Sequence, residues 1–220
     1  FCILLGAMTQ LSPLLLIAGV YLAVLASPGP NFFILSQMAL DGRQRESRYV
    51  VLGLTTGSIF WVVLSLAGMS TLMAHHPWLA SAVRFLGASY LVWYGGSLLW
   101  RAVSPPAKTA AGSARRTPAG TRRDARSAYR AGLLTGITNP KGAAFWTSVF
   151  ATLVPAQAAG WFYPATILMV AVLSLLWHFG ITVVFGAEAI RARYLRVERW
   201  VDGVAGGMLV MLGVQRIVAR

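Results

Sequence analysis

Long apolar stretches alternate with short polar ones along the chain. Residues 11–40, 49–74, 78–100, 129–154, 162–186 and 200–218 are predominantly apolar, and each meets the ~20 residues that a helix needs to cross a bilayer. Two stretches break the pattern. Ser27-Pro28-Gly29-Pro30-Asn31 and Thr138-Asn139-Pro140-Lys141-Gly142 each fall about half way along an apolar segment, where a continuous helix carries neither prolines nor a charge. Proline lacks an N–H and clashes with the preceding turn, so the helix must break. The flanking residues are suited to a restart: Asn139 caps a helix beginning at Pro140, and Gly29 or Ser27 caps one beginning at Pro30. The pattern predicts an all-α membrane protein of six transmembrane helices, the first and fourth broken at their proline motifs.

The polar connections give an orientation. Residues 41–48 carry Asp41, Arg43, Arg45, Glu46 and Arg48, and residues 187–199 carry Glu188, Arg191, Arg193, Arg196, Glu198 and Arg199. Residues 102–128 are rich in Ala, Pro, Gly, Ser and Thr with Lys108, Arg115, Arg116, Arg122, Arg123 and Arg126, a composition that reads as a basic disordered linker able to cling to anionic lipid. The connections after the second and fourth segments, His75-His76-Pro77 and 155–161, have no Lys or Arg. Basic loops stay in the cytoplasm, so both termini are expected outside. A cleaved signal peptide is the other reading of the opening stretch, but a basic leader region is lacking there and the apolar run continues through Leu35.

Composition agrees with the pattern. Hydrophobic residues make up 57% and charged residues 11% of 220, with a mean hydropathy of +0.65, which excludes an ordinary soluble domain. The net charge of +13 lies between the apolar runs and forms no basic helix face, so no nucleic-acid partner is expected. The single cysteine, Cys2, excludes an internal disulfide and a cysteine metal site. His75 and His76 have no third ligand nearby, so no metal is expected.

The two halves resemble each other. With the breaks aligned, residues 83–95 match 201–213 in their valines, leucines and glycines. This divides the chain into a three-helix repeat at 1–101, the linker at 102–128 and a second repeat at 129–220. Three spans are an odd number, so the second repeat must enter the membrane inverted, and inverted repeats with corresponding interruptions point to a transporter with its site near the midplane. The half-helices restarting at Asn31 and Lys141 then bring their N-termini together. Each N-terminus carries unpaired N–H groups and about half a positive charge, which favours a carboxylate. The carbonyls before each break suit an ammonium group, so a zwitterion matches both.

Lys141 is a cation at a helix N-terminus at membrane depth, at a cost of ~3 kcal/mol on insertion scales. It must face water, pair with a carboxylate or lose its proton, and the plain structural reading, set beside a substrate-binding role, is a standing pair with Asp202 or Glu188. Arg84 and Asp202, each one turn into its span, are candidate gate charges. His178 inside the fifth span is either a satisfied core histidine or a member of a proton relay. Gly53/Gly57, Gly132/Gly136 and Gly203/Gly207 are spacings that let helices approach closely. Tyr90, Trp93, Tyr94 and Trp100 fit a lipid-facing aromatic belt.

These motifs carry a resemblance. The Ser-Pro-Gly-Pro-Asn stretch with Phe32, Phe33 and Gln37, the Asn-Pro-Lys stretch with Ser148-Val149-Phe150, and the run from Trp200 to Gly206 resemble the LysE/RhtB amino-acid exporters, nearest the homoserine/threonine branch. The resemblance covers nearly the whole chain and is weakest at 102–128. It implies a multi-pass secondary transporter of the bacterial inner membrane that expels amino acids in exchange for protons. In that branch an aspartate often follows Pro-Gly-Pro. Asn31 stands there in this chain, so an ionisable group that could carry a coupling proton is absent from that position.

The expected protein is therefore an exporter of small neutral amino acids working by alternating access, without cofactor or catalytic residues. Ser27, Pro28, Gly29, Pro30, Asn31, Asn139, Pro140 and Lys141 form the substrate site, with Arg84, His178, Glu188 and Asp202 as coupling or gate candidates. A passive small-solute channel built on paired half-helices is the alternative. An enzyme is not expected, because no Ser/His/Asp or metal-ligand grouping lies at membrane depth. The partners are an amino acid, protons and the bilayer, and a homodimer is left open.

Overall fold

The structure, a computed structural model, describes residues 2–75, 77–104, 124–155, 158–185 and 187–218. Among these residues the chain is helical: α1 (Cys2–Ala26), α2 (Pro30–Leu40), α3 (Gln44–His75), α4 (Pro77–Val103), α5 (Ala125–Thr138), α6 (Pro140–Leu153), α7 (Phe162–Val184) and α8 (Glu188–Val218). Gln44–Gly68, Phe162–Val184 and Arg196–Val218 are long and apolar enough to cross a membrane, and Gln10–Ala26 with Pro30–Leu40 qualify together as a pair bent by 55°. Many large apolar side chains face outward along these helices, Leu64, Leu168, Leu176 and Met211 among them. A helix apolar inside and out is one solvated by lipid.

Several boundaries differ from those expected. The basic connection at 188–199 is part of α8, and α3 starts at Gln44, which leaves Asp41 to Arg43 as the connection before it. Arginine, glutamate and alanine are good helix formers, so both helices run on beyond their apolar segments. Residues 102–103 and 125–128, expected in the linker, are helical, and Asp124 caps α5 by accepting from Ser127 N–H at 2.8 Å. The rest of that expectation, 105–123, lies outside the described residues. The turn after α2 closes on Gly42, at φ +69, where only glycine is free of strain. Arg43 N–H bonds Met38 O and Gly42 N–H bonds Ala39 O, the paired bonds of a glycine-terminated helix.

Glycine contacts fix how the helices pack. Gly53 of α3 lies against the Tyr129–Leu133 backbone and Gly57 against Gly136 of α5, so these helices run parallel. Gly95 of α4 meets Gly206 O while Gly213 of α8 meets Ala88 O, so that pair runs antiparallel. Of the expected glycine pairs, Gly203/Gly207 is not a close contact: Gly207 has nothing within 4 Å, and Gly206 takes that place.

Two cores result. One joins Ile17, Tyr21 and Val24 of α1 to Leu91 of α4, Phe145, Trp146 and Phe150 of α6, Val170 of α7 and Leu209 of α8. The other joins Phe32 and Leu35 of α2 to Val50 and Leu54 of α3, Ala128 of α5 and Ile181 of α7. Helix α1 shares a core with α6, and α2 with α5. Both interruptions, at 27–29 and at Asn139, lie between the two cores.

Candidate functional site

The end of α1 leaves carbonyls that α2 cannot reach, and side chains from elsewhere take them. Ser27 N–H returns to Ala23 O. Lys141 Nζ donates to Val24 O at 3.1 Å and to Ser27 O at 3.3 Å. Tyr194 Oη donates to Ala26 O, and its ring stacks on Phe32 at 4.8 Å. The last carbonyls of a helix must find partners when water is excluded, so Lys141 and Tyr194 make the interruption tolerable.

Each restart is built differently. Helix α2 starts from Gly29 in extended backbone, with Pro30 in the first position and no side-chain cap. Ser27 is engaged elsewhere: its Oγ donates to Asp202 Oδ1 at 2.7 Å, and both residues are buried. Helix α6 starts from Asn139, whose Oδ1 accepts from Lys141 N–H at 3.1 Å. Asn139 Nδ2 also donates to Asn31 Oδ1 at 3.4 Å, which ties the two interruptions directly to each other.

A cavity of about 70 Å³ opens at this meeting point. Ser27, Gly29, Pro30, Asn31, Asn139 and Lys141, six of the eight expected site residues, line it together with His178. Pro28 is buried in the turn between α1 and α2, and the side chain of Pro140 lies outside the described residues. The aromatic walls are Tyr21, Phe32, Phe145, Trp146 and Trp177. Trp177 Nε1 is buried without a hydrogen-bond partner.

The standing carboxylate pair, the structural alternative for Lys141, is not what forms. The Lys141 ammonium rests on two carbonyls, with the Tyr94 ring centroid 5.7 Å away. Ser27 stands between the two charges, its carbonyl accepting from Lys141 and its hydroxyl donating to Asp202. The side chain of Glu188 lies outside the described residues. Arg84 lies on α4 ten residues before Tyr94 and does not line the cavity. His178 is buried, with Nδ1 2.9 Å from Ser174 O and 3.1 Å from Ser174 Oγ. A carbonyl only accepts, so Nδ1 carries the hydrogen, and Nε2 of a neutral ring keeps its lone pair. Ser174 Oγ continues to Thr55 Oγ1 at 3.1 Å, a polar string across α3 and α7.

Sequence reasoning missed Tyr94 and Tyr194. Tyr94 was expected in an outward aromatic belt, but it is buried and stacks on Tyr90 at 5.8 Å, while Trp93 and Trp100 face outward. A phase argument along α4 could have separated them, because Leu91, Tyr94 and Leu98 share one face.

Comparison with known proteins agrees with the composition and the helix pattern. Residues 22–220 match the family described as LysE type translocator. The threonine efflux protein of Escherichia coli (strain K12) is 31% identical over 208 residues, covering 94% of this chain and 98% of that protein. The threonine efflux protein of Salmonella typhi is 30% identical over 93% of this chain and 97% of its own length. The leucine efflux protein of Enterobacter sp. (strain 638) is 25% identical over 90% of this chain and 89% of that protein. No solved structure matches the chain. A match over nearly the full length, carried by a chain of apolar helices, shows that this protein belongs to the LysE type translocator family.

Proposed function

We propose that this protein is a secondary active exporter of small neutral amino acids, driven by proton antiport through alternating access in the bacterial inner membrane. The observation that carries the reading is the convergence of two helix interruptions on one cavity, bridged by Asn31 and Asn139 and by Lys141 on the end of α1. The N-terminal ends of α2 and α6 favour the substrate carboxylate, and the carbonyl end of α1 favours its ammonium. The names of the relatives, threonine and leucine efflux proteins, support an amino-acid substrate.

The packing supports six spans arranged as two inverted repeats. Successive spans alternate in direction, so the third and sixth should be antiparallel and the second and fourth parallel. The contacts of Gly95 and Gly213 fit the first relation and those of Gly53 and Gly57 the second. In the aligned segments Gly95 corresponds to Gly213 and Ala88 to Gly206, so the two α4–α8 contacts are each other's counterparts. Basic connections after the first, third and fifth spans then put both termini outside, with the chain divided at the linker.

The test is efflux in inside-out vesicles against a panel of amino acids, with and without an imposed pH difference. Concentrative uptake that collapses with the proton gradient is expected, whereas a channel gives neither. Lys141→Ala is expected to abolish it, and undiminished flux in that variant would remove Lys141 from the site.

A further inference from the structure

We infer that Lys141 is a tethered occupant of the substrate's ammonium subsite: its side chain fills the place that an incoming amine takes. The inference rests on the reading of this cavity as an amino-acid site. The groups around Nζ form a receptor for a cation. Val24 O and Ser27 O accept from it at 3.1 and 3.3 Å, both at the end of α1 where the helix dipole is negative. The Tyr94 ring lies 5.7 Å away, within cation–π range. Behind Ser27 stands the Asp202 carboxylate, held at 2.7 Å by Ser27 Oγ. Gly29 adds no side chain at this point, and even a Cβ there would be 3.7 Å from Nζ. The two carbonyls, the ring face and the carboxylate behind them all suit an ammonium.

A substrate zwitterion presents the same head group as Lys141. To bind the substrate carboxylate, Lys141 must leave the cradle, and leaving uncovers two carbonyls that an alkylammonium covers equally well. One exchange serves both ends of the ligand: the ammonium replaces Nζ, and the released Nζ meets the carboxylate. With its own lysine on Val24 O and Ser27 O the interruption has its partners without a substrate.

The test uses the full-length protein in detergent and two probes, alanine and ethylammonium, with binding followed through the cavity tryptophans Trp146 and Trp177. A tethered competitor acts at a high effective concentration, so wild type is expected to bind ethylammonium weakly and alanine more tightly. Lys141→Ala is expected to bind ethylammonium about tenfold or more tightly than wild type, to lose affinity for alanine, and to gain thermal stability from ethylammonium that wild type does not gain. Lys141→Arg, with a cation still in the cradle, is expected to show no such gain. If Lys141→Ala folds poorly, ethylammonium present during purification is expected to restore it. No gain from ethylammonium in binding, melting temperature or recovery overturns the inference and makes Lys141 a fixed pin. Amino-acid efflux by wild type together with no ethylammonium gain leaves the exporter reading standing. An ethylammonium gain without transport of any amino acid does the reverse.

Discussion

Replacing Gly95 with alanine puts a methyl group 2.7 Å from Gly206 O and 2.9 Å from Leu209 Cβ and Val210 Cγ2. Two of these three neighbours are backbone or Cβ atoms, which cannot swing aside, so α4 and α8 must separate. Overpacking costs about 1–3 kcal/mol, and three contacts under 3 Å put this site at about 2–3 kcal/mol; alanine recovers about 1 kcal/mol of helix propensity, leaving a net loss of about 1–2 kcal/mol. Gly96, one position on, has nothing within 4 Å of its added Cβ, and the same is true of Gly207 beside Gly206. Alanine at either open position is expected to be neutral or stabilising by up to about 1 kcal/mol. Gly213→Ala should cost about as much as Gly95→Ala, because its Cβ meets Ala88 O and Val92 Cγ2, both at 2.7 Å. Equilibrium unfolding in mixed micelles measures all four variants. Equal damage at Gly95 and Gly96, or a Gly95→Ala protein as stable as wild type, would refute the account of the α4–α8 seam.

Ser27→Ala removes the donor to the buried Asp202 carboxylate but keeps the carbonyl that receives Lys141; a loss of about 1.5–3 kcal/mol is expected, read by thermal unfolding, and an unchanged melting temperature would count against it. Asn139→Ala loses the cap of α6 and the bond to Asn31, with an expected cost of about 0.5–2 kcal/mol. Asn139→Ser should recover the cap but not the bridge, so efflux that recovers fully in the serine variant would show the bridge to be dispensable. Tyr194→Phe retains the stack on Phe32 and leaves Ala26 O without its donor, at an expected cost of about 1 kcal/mol measured by chemical denaturation.

Clustered turn chemistry, Pro-Gly-Pro and Asn-Pro, made the two interruptions legible; a lone proline does not suffice, since Pro13 sits inside α1. The restarts followed from the same local rules, and Asn139 caps α6 as its residue type predicts. Reach is what the sequence does not carry. That the Lys141 ammonium crosses to Val24 O, more than a hundred residues away in the chain, depends on how α1 lies beside α6. The alternative of a carboxylate partner counted charges and overlooked backbone carbonyls, which form half of every peptide unit and become strong acceptors wherever a helix stops. Tyr194 escaped notice because residues 187–199 read as a loop by charge, and a loop tyrosine suggests no fixed partner. Once α8 extends through them, its aromatic face is in register with the end of α1.

Helix α8 has 31 residues without interruption, about 46 Å of rod at 1.5 Å per residue. Tyr194 near one end grips Ala26, Asp202 farther along takes the Ser27 hydroxyl, and Gly206 and Gly213 beyond them lie in the seam with α4. A stiff beam fastened at several points transmits displacement from any one to the others. Sliding or tilting at the glycine seam is therefore expected to pull on the cavity-lining turn at a distance, and a change at that turn to push back along the same strut.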